Sequence, residues 1–339
     1  MAAEAVPQGQ RARETGRLVG VRTRGDAHLA FVPSPLPPSP PVEIEVALLD
    51  RAERALGRLD GLSGLLPDTS HFVYSYVRRE ALFSAQIEGT QSSLADLLLH
   101  DTKQAPGEPL DDVREVSDCV AALHLGLGRP ATVALLKRLH RVLRRSGRGR
   151  DRSPGEYRRR QVWIGGDRPS RARVVPPPAS HVPRCMRELD RFLRGDTPPL
   201  LKIALAHVQL ETIHPFRDGN GRIGRLMVSL LLCSEGLLEE PLLFLSTYLE
   251  AHRREYYDRL QAVRFDGDWE GWVRFFLHGL AATADDALAM ARQILALFDR
   301  HRREVSGAGA AVYDALQRRP IATVAQLVML RVFTGVAIG

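Results

Sequence analysis

The sequence predicts a mainly α-helical protein carrying one short β-hairpin, and three observations support this. Apolar residues recur at three- and four-residue spacing through most of residues 43–304. Pro67-Asp68 and Gly89 bracket one such run with a start signal and a stop signal. Only one stretch reads as strand: Gln161–Gly166, a turn-rich DRPSRA, then Arg173–Pro178.

Taken in order, residues 1–41 are polar and then proline-rich (FVPSPLPPSPP), which predicts an extended polyproline arm lying on the domain surface. The N-terminal helical segment, 42–110, opens with IEVALLDRAERALGRLDGL and continues in a helix from Thr69 to Glu88, with Gly89 at the C′ position. A third helix is expected at 91–101. The central core, 111–265, carries helices at 112–126, 131–145, 181–194, 199–213, 220–235 and 247–264, interrupted by the hairpin flap. Residues 266–305 read as one long helix from 269. SGAGA at 306–310 reads as a flexible linker. It precedes two short helices of a helix-turn-helix type, incomplete because no polar recognition helix follows in residues 331–339.

Composition narrows the function classes. Hydrophobic residues make up 44% and charged residues 26%, as in ordinary soluble domains. No apolar run approaches the ~18–20 residues of a membrane span, and the first residues lack a secretory apolar segment, so a cytoplasmic, non-membrane protein is expected. Cys119, Cys185 and Cys233 lie far apart, which argues against a zinc ribbon or a disulfide framework and for buried free thiols. The formal charge is +7, yet lysine occurs only at 103, 137 and 202, so the excess is arginine spread along the chain. The dense cluster from Arg138 to Arg160 reads as a solvated loop, with polyanion contact as the alternative.

The chemistry concentrates in His214-Pro-Phe-Arg-Asp-Gly-Asn-Gly-Arg-Ile-Gly-Arg225. Glycines before an apolar helix let backbone N–H groups close on an anion, and the helix dipole adds to them. Arg222 and Arg225, at i and i+3, bring planar forks suited to phosphate. Asp218 beside bound phosphate calls for a bridging cation, Mg²⁺. His214 has an ordinary pKa near ~6.5, suited to taking a proton from a hydroxyl. His207, Glu211 and His214 superficially offer metal ligands, but their order departs from HExxH, and hydrogen bonding on the helix surface is expected instead.

HPFRDGNGRIGR resembles the HxFx(D/E)GNGRxxR signature of Fic-domain proteins at every defining position. The resemblance spans roughly residues 35–300. It implies a Fic-type helical domain that transfers AMP from ATP to a Ser, Thr or Tyr hydroxyl of a protein, the chain itself included. It implies His214 as general base, Phe216 as core anchor and Asp218 as the Mg²⁺ ligand. Gly219, Asn220 and Gly221 would form the phosphate nest, with Ile223 and Gly224 in the same ATP-binding stretch and Arg222 and Arg225 on the phosphates. Ile164, Gly165 and Gly166 resemble the flap that aligns a target by strand addition. Tyr256 of the Tyr256-Tyr257 pair resembles the residue lining the adenine pocket, although His252 stands near where relatives often carry Asn.

Ser84-Ala-Gln-Ile-Glu88-Gly89 resembles the family's inhibitory helix, [S/T]xxxE[G/N], in its N-terminal class. The resemblance implies that Glu88, with Ser84 on the same face, pairs with Arg225 and keeps the γ-phosphate out of its productive place. Transfer of UMP or phosphocholine, kinase activity, AMP removal, and a DNA-binding regulator with a Fic sensor are the alternatives. Nucleic acid is not expected as a partner of the C-terminal segment as it stands, and self-association is consistent with the family.

Overall fold

A computed structural model describes residues 13–23, 25–63, 70–102, 110–146, 153–318 and 321–329 of the 339. The start signal at Pro67-Asp68, Lys103, the middle of the arginine cluster (Arg148, Arg150, Arg152) and residues 330–339 lie outside the described residues.

The fold is mostly helical, with one two-stranded antiparallel sheet among the described residues. The helices are α1 (Val46–Ser63), α2 (Ser70–Ile87), α3 (Leu94–Asp101), α4 (Leu110–Gly126), α5 (Val133–Leu143), α6 (Val182–Leu193), α7 (Pro199–Ile213) and α8 (Asn220–Ser234). They continue as α9 (Leu245–Ala251), α10 (Arg253–Asp266), α11 (Trp269–Arg302), α12 (Ala308–Arg318) and α13 (Val324–Met329). Among the described residues no helix is long and apolar enough to cross a membrane.

Helix α7 is the axis of the molecule. Every residue from Lys202 to Ile213 is buried, because α6, α8, α10 and α11 pack around it. The one ammonium in that run, Lys202, is held by both oxygens of Glu235 at 2.8 and 2.9 Å. Trp272 of α11 is fully buried, donates its indole N–H to Ala204 O at 2.8 Å, and stacks on the His207 ring at 5.7 Å. Helix α2 is docked at both ends: Tyr76 O–H donates to Ala287 O at 2.7 Å, and buried Glu80 accepts from the backbone N–H and hydroxyl of Ser246.

The structure corrects four expectations. Residues 13–41 are not simply an arm: β1 (Gly16–Thr23) and β2 (Asp26–Pro33) form a hairpin in which Thr23 faces Asp26 and Gly25 turns at φ +85. The alternation in GRLVGVRT and DAHLAFVP around a glycine turn was the signal. The flap carries a single bridge, Ile164 with Val174, rather than two regular strands, since Gly165 and Gly166 at positive φ and the prolines from 176 end the ladder. Strand β2 supports that flap, with Phe31 N–H donating to Val175 O at 2.8 Å. The expected helix at 247–264 breaks at His252, which caps both α9 and α10 outside helical geometry and stacks on Tyr248. SGAGA is not a free linker, because α12 begins inside it, and Gln326 of the last helix donates to Asp101 O at the end of α3.

Replacing Trp272 by Ala is expected to cost about 3–5 kcal/mol in urea unfolding, whereas Trp272→Phe, which keeps an aromatic ring but loses the indole donor, costs about 1–2 kcal/mol. Equal losses for the two variants would mean that the ring does not hold α11 on α7.

Candidate active site

The site begins where α7 stops. His214 caps the helix in the left-handed region (φ 49, ψ 61), its N–H still bonded to Leu210 O at 2.9 Å. A non-glycine residue persists there only when its surroundings hold it, and Arg158 does so. Its buried guanidinium donates to His214 O at 2.8 Å, Pro177 O at 2.6 Å and Ile213 O at 3.3 Å, and its own N–H bonds Pro215 O at 2.9 Å. Burial pushes the Arg158 pKa down to about 10. The arginine cluster is therefore not all solvated loop: Arg144 and Arg158 are both buried.

The loop from His214 to Gly219 is closed internally. Asn220 accepts Phe216 N–H at 2.8 Å and donates back to Phe216 O at 3.0 Å, so its amide stands in for a backbone pair. Phe216 is fully buried and stacks on His140 at 3.9 Å and 6°. His140 Nδ1 accepts Gly155 N–H at 2.8 Å, which leaves Nε2–H to donate to Asp218 O at 2.9 Å. Burial, with Arg144 and Arg222 nearby, pushes its pKa down to about 4, so the ring holds the loop as a neutral tautomer. The Asp218 carboxylate, one third exposed, accepts Gly219 N–H at 2.8 Å and faces Arg144 at 3.1 Å.

Helix α8 starts at Asn220 with no side-chain cap on its N-terminus, leaving first-turn donors available to an anion. Its two arginines go to different acids. Arg222 is buried against Glu115 of α4 at 3.0 Å. Arg225, fully buried, donates to Ser84 Oγ at 2.9 Å, Ser84 O at 2.8 Å and Glu88 Oε1 at 2.7 Å. Burial alone would raise the Glu88 pKa, but Arg225 reverses this, aided by Arg222 and His214, and holds it below the usual carboxylate range. Gly221 leaves room for this pair, since a Cβ there would meet Glu88 Oε1 at 2.2 Å and the carboxylate would have to shift.

A cavity of about 400 Å³ gathers His214, Gly221, Arg225, Glu88 and Tyr256 with the flap residues Ile164 and Gly165. Tyr256 and Glu211 stand deep in it. His207, whose pKa burial pushes down to about 4, is neutral. It donates from Nδ1 to Gly224 O at 3.1 Å, so its Nε2 accepts the Tyr256 hydroxyl proton at 2.9 Å. His207 and Glu211 are thus buried members of the site rather than surface hydrogen bonders. The Glu211 carboxyl is pushed up to about 7, by burial first and by Glu88 against the pull of Arg225 and Arg264. Its Oε1 is buried with no hydrogen-bond partner among the described residues, and it lies where a Cβ on Gly224 would meet it at 2.5 Å. Burial, then Arg158 and Arg264, push His214 down to about 4.

The sequence-predicted residues therefore fall into two groups. His214, Gly221, Arg225, Tyr256, Glu88, Ile164 and Gly165 line one cavity. Asp218, Gly219, Asn220, Arg222, Ile223 and Gly224 shape the loop and helix start beside it, with Ile223 in the core and Gly166 in the turn behind Gly165. Arg158, His140 and Arg264 escaped the sequence reading of the site, because each reaches it by tertiary contact, and Glu211 was expected only as a hydrogen bonder on the helix surface. Among the described residues no group of three metal-ligating side chains is present.

A helical core that presents an α7–loop–α8 turn under a flap defines a Fic-type protein. Family models agree: the Fic/DOC family N-terminal model matches residues 46–128 and the Fic/DOC family model matches residues 130–232. The chain belongs to the Fic/DOC family. It is 30% identical over 247 residues to the protein adenylyltransferase Fic of Culex quinquefasciatus, covering 70% of this chain and 46% of that one. Its identity to the Aedes aegypti protein of the same name is 31% over 212 residues, covering 60% and 40%. The chain thus spans less than half the length of these curated relatives. The crystal structure of a Fic family protein from Desulfovibrio desulfuricans G20 superposes with a TM-score of 0.63 at 26% identity, over 77% of this chain and 81% of that one.

Three buried histidines stay neutral down to about pH 4 in the fold but protonate near ~6.5 when unfolded. Glu211, at about 7, opposes them by holding a proton in the fold that the unfolded chain releases. The unfolded chain thus binds more protons on balance between pH ~6.5 and ~4.5, and stability falls as pH falls through that window. The thermal midpoint is expected to drop between pH 7 and 5, and Glu211→Gln should steepen the drop by removing the opposing group. A shallower drop in the variant would contradict this.

Proposed function

We propose that the chain is a protein adenylyltransferase restrained by Glu88. The observation that carries this reading is the cavity in which His214, the uncapped start of α8 at Gly221, and Arg225 meet beneath the flap, with Glu88 occupying Arg225. The adenylyltransferase relatives support AMP as the cargo.

In this reading ATP lies with its phosphates at the start of α8, where N–H groups and the helix dipole offset their charge. The base lies toward Tyr256, Tyr257 and Leu260, a largely apolar wall. His214 is unprotonated at neutral pH, as a general base must be, and phosphate charge nearby raises its affinity for a proton as the reaction proceeds. The ring takes the hydroxyl proton of the target while the hydroxyl oxygen bonds to the α-phosphorus. The bond from the α-phosphorus to the β-phosphate oxygen breaks, and pyrophosphate leaves. Arg158 contributes by holding His214 in its left-handed turn.

Mg²⁺ fits the residues present in a limited way. Asp218 offers a hard, partly exposed carboxylate beside the phosphate site, and phosphate oxygens and water would complete the coordination, as Mg²⁺ prefers. When bound, the ion would neutralise charge on the phosphates. Glu88 restrains the enzyme because its carboxylate takes the Arg225 guanidinium and repels a γ-phosphate approaching it. A soluble cytoplasmic setting, a Ser, Thr or Tyr acceptor, and self-modification belong to the same reading.

Intact-mass measurement with ATP and Mg²⁺ tests it. The parent chain is expected to gain little AMP, Glu88→Gly to gain at least one AMP per chain, and Glu88→Gly/His214→Ala none. Equal incorporation by the parent and Glu88→Gly would refute the restraint, and incorporation by the His214 variant would refute the base. Arg158→Ala in the Glu88→Gly background is expected to lower kcat about 10²-fold with little change in KM for ATP, since it misplaces the base rather than the nucleotide.

A further inference from the structure

A second groove lies beyond the catalytic cavity, along the same flap segment. It has a volume of about 690 Å³ and is lined by Arg22 and Thr23 at the tip of β1, by Arg160 to Trp163, and by Arg217 from the catalytic loop. Arg22, Arg160 and Arg217 come from three separate parts of the chain and are all exposed. None of them makes an ion pair among the described residues, and no acidic side chain lines the groove. Some exposed arginines elsewhere are matched, as Arg184 is with Glu188, but what sets this groove apart is that three arginines from separate parts of the chain line one surface. Three guanidinium groups around one tryptophan create a local positive field that no acidic residue among the described lining offsets.

The backbone aims a ligand along this groove. Ile164 spends both its N–H and C=O on Val174, at 2.9 and 3.1 Å. In an antiparallel pair the neighbouring residues point the other way, so Trp163 and Gly165 present their backbone groups to the open edge. The opposite side of the flap is covered by β2 through Phe31 and Asp26. An extended peptide added at Trp163–Gly165 would place one residue beside His214, at the Ile164–Gly165 end. The chain leaving that residue would pass Trp163, Gln161 and the three arginines. At ~3.3 Å per residue, that is two to four residues from the acceptor hydroxyl.

We infer that this groove selects target segments carrying Asp or Glu two to four residues from the modified hydroxyl, on one side of it. The inference rests on the transfer reading for its purpose, but its binding step does not. Guanidinium forks favour carboxylates in paired geometry, and several charges acting together exceed the small effect of one exposed pair.

Fluorescence anisotropy without nucleotide tests it. The probes are labelled twelve-residue peptides with one Thr, carrying acidic residues on its N-terminal side, on its C-terminal side, or on neither. One acidic register is expected to bind roughly tenfold tighter than the neutral peptide at low salt, with the advantage shrinking as salt rises. Arg22→Glu/Arg160→Glu, at two exposed side chains outside the catalytic loop and the core, should erase that preference and leave neutral-peptide binding within about twofold. In the Glu88→Gly background the same preference should appear in KM for the peptide. Equal binding of acidic and neutral peptides overturns the inference, as does a preference that survives the charge reversals. Tighter binding of a single-stranded oligonucleotide than of the acidic peptide also overturns it. Absence of AMP transfer by the Glu88→Gly chain both to itself and to every peptide, with the binding preference intact, would refute the transfer reading and leave the groove's selectivity standing.

Discussion

The buried guanidinium of Arg225 constrains more of this molecule than any other group. It cannot give up its charge, and its burial removes water as a partner, so protein acceptors must come to it. Three come from the C-terminal end of α2 and the residue that follows it, two on Ser84 and one on Glu88. That requirement draws α2 against the start of α8. It also favours Gly221, since a side chain there would displace the Glu88 carboxylate from Arg225. The same arginine lines the cavity, so under the proposed function the contact that completes the fold would also compete with an anionic ligand.

A second constraint acts on the geometry of His214. His214 sits in a backbone region that favours glycine, and the chain holds it there with a carbonyl clamp from Arg158 and an amide clip from Asn220. His140 adds a neutral ring that stacks on Phe216 and bonds the Asp218 carbonyl. These groups lie outside the cavity lining, yet they fix the backbone turn that carries His214 into it. Histidines pushed down to about 4 around this centre are the electrostatic consequence of packing a polar loop into an apolar bundle.

The flap joins the two halves of the site. A single bridge and two glycines at positive φ hold its tip over the cavity, while β2 backs it from outside. The N-terminal hairpin therefore has a structural task that its proline-rich neighbourhood concealed. It closes one edge of the flap, leaves the other open, and puts Arg22 at the rim of the outer groove.

Much of this was determined by the sequence itself. Helix-period apolar runs placed nearly every helix within a few residues, because burial of one face is a local pattern. The run from His214 to Arg225 marked a loop whose His214, Gly221 and Arg225 do line one cavity, because glycines, an acid, a histidine and arginines at fixed spacing are legible without the fold. Other features lacked such local marks. Whether Arg222 faces phosphate or Glu115 depends on where α4 lies, some hundred residues away. His207 and Glu211 looked like one polar face of a helix, and only the packing of α8, α10 and α11 around α7 made that face interior. Arg158 read as one charge in a basic run, although its partners are carbonyls contributed by the end of α7 and by Pro177. Periodicity and residue type act over a few neighbours and are written in the chain. Burial, pairing and the direction of a charged side chain are decided by distant elements, and those only the tertiary structure brings together.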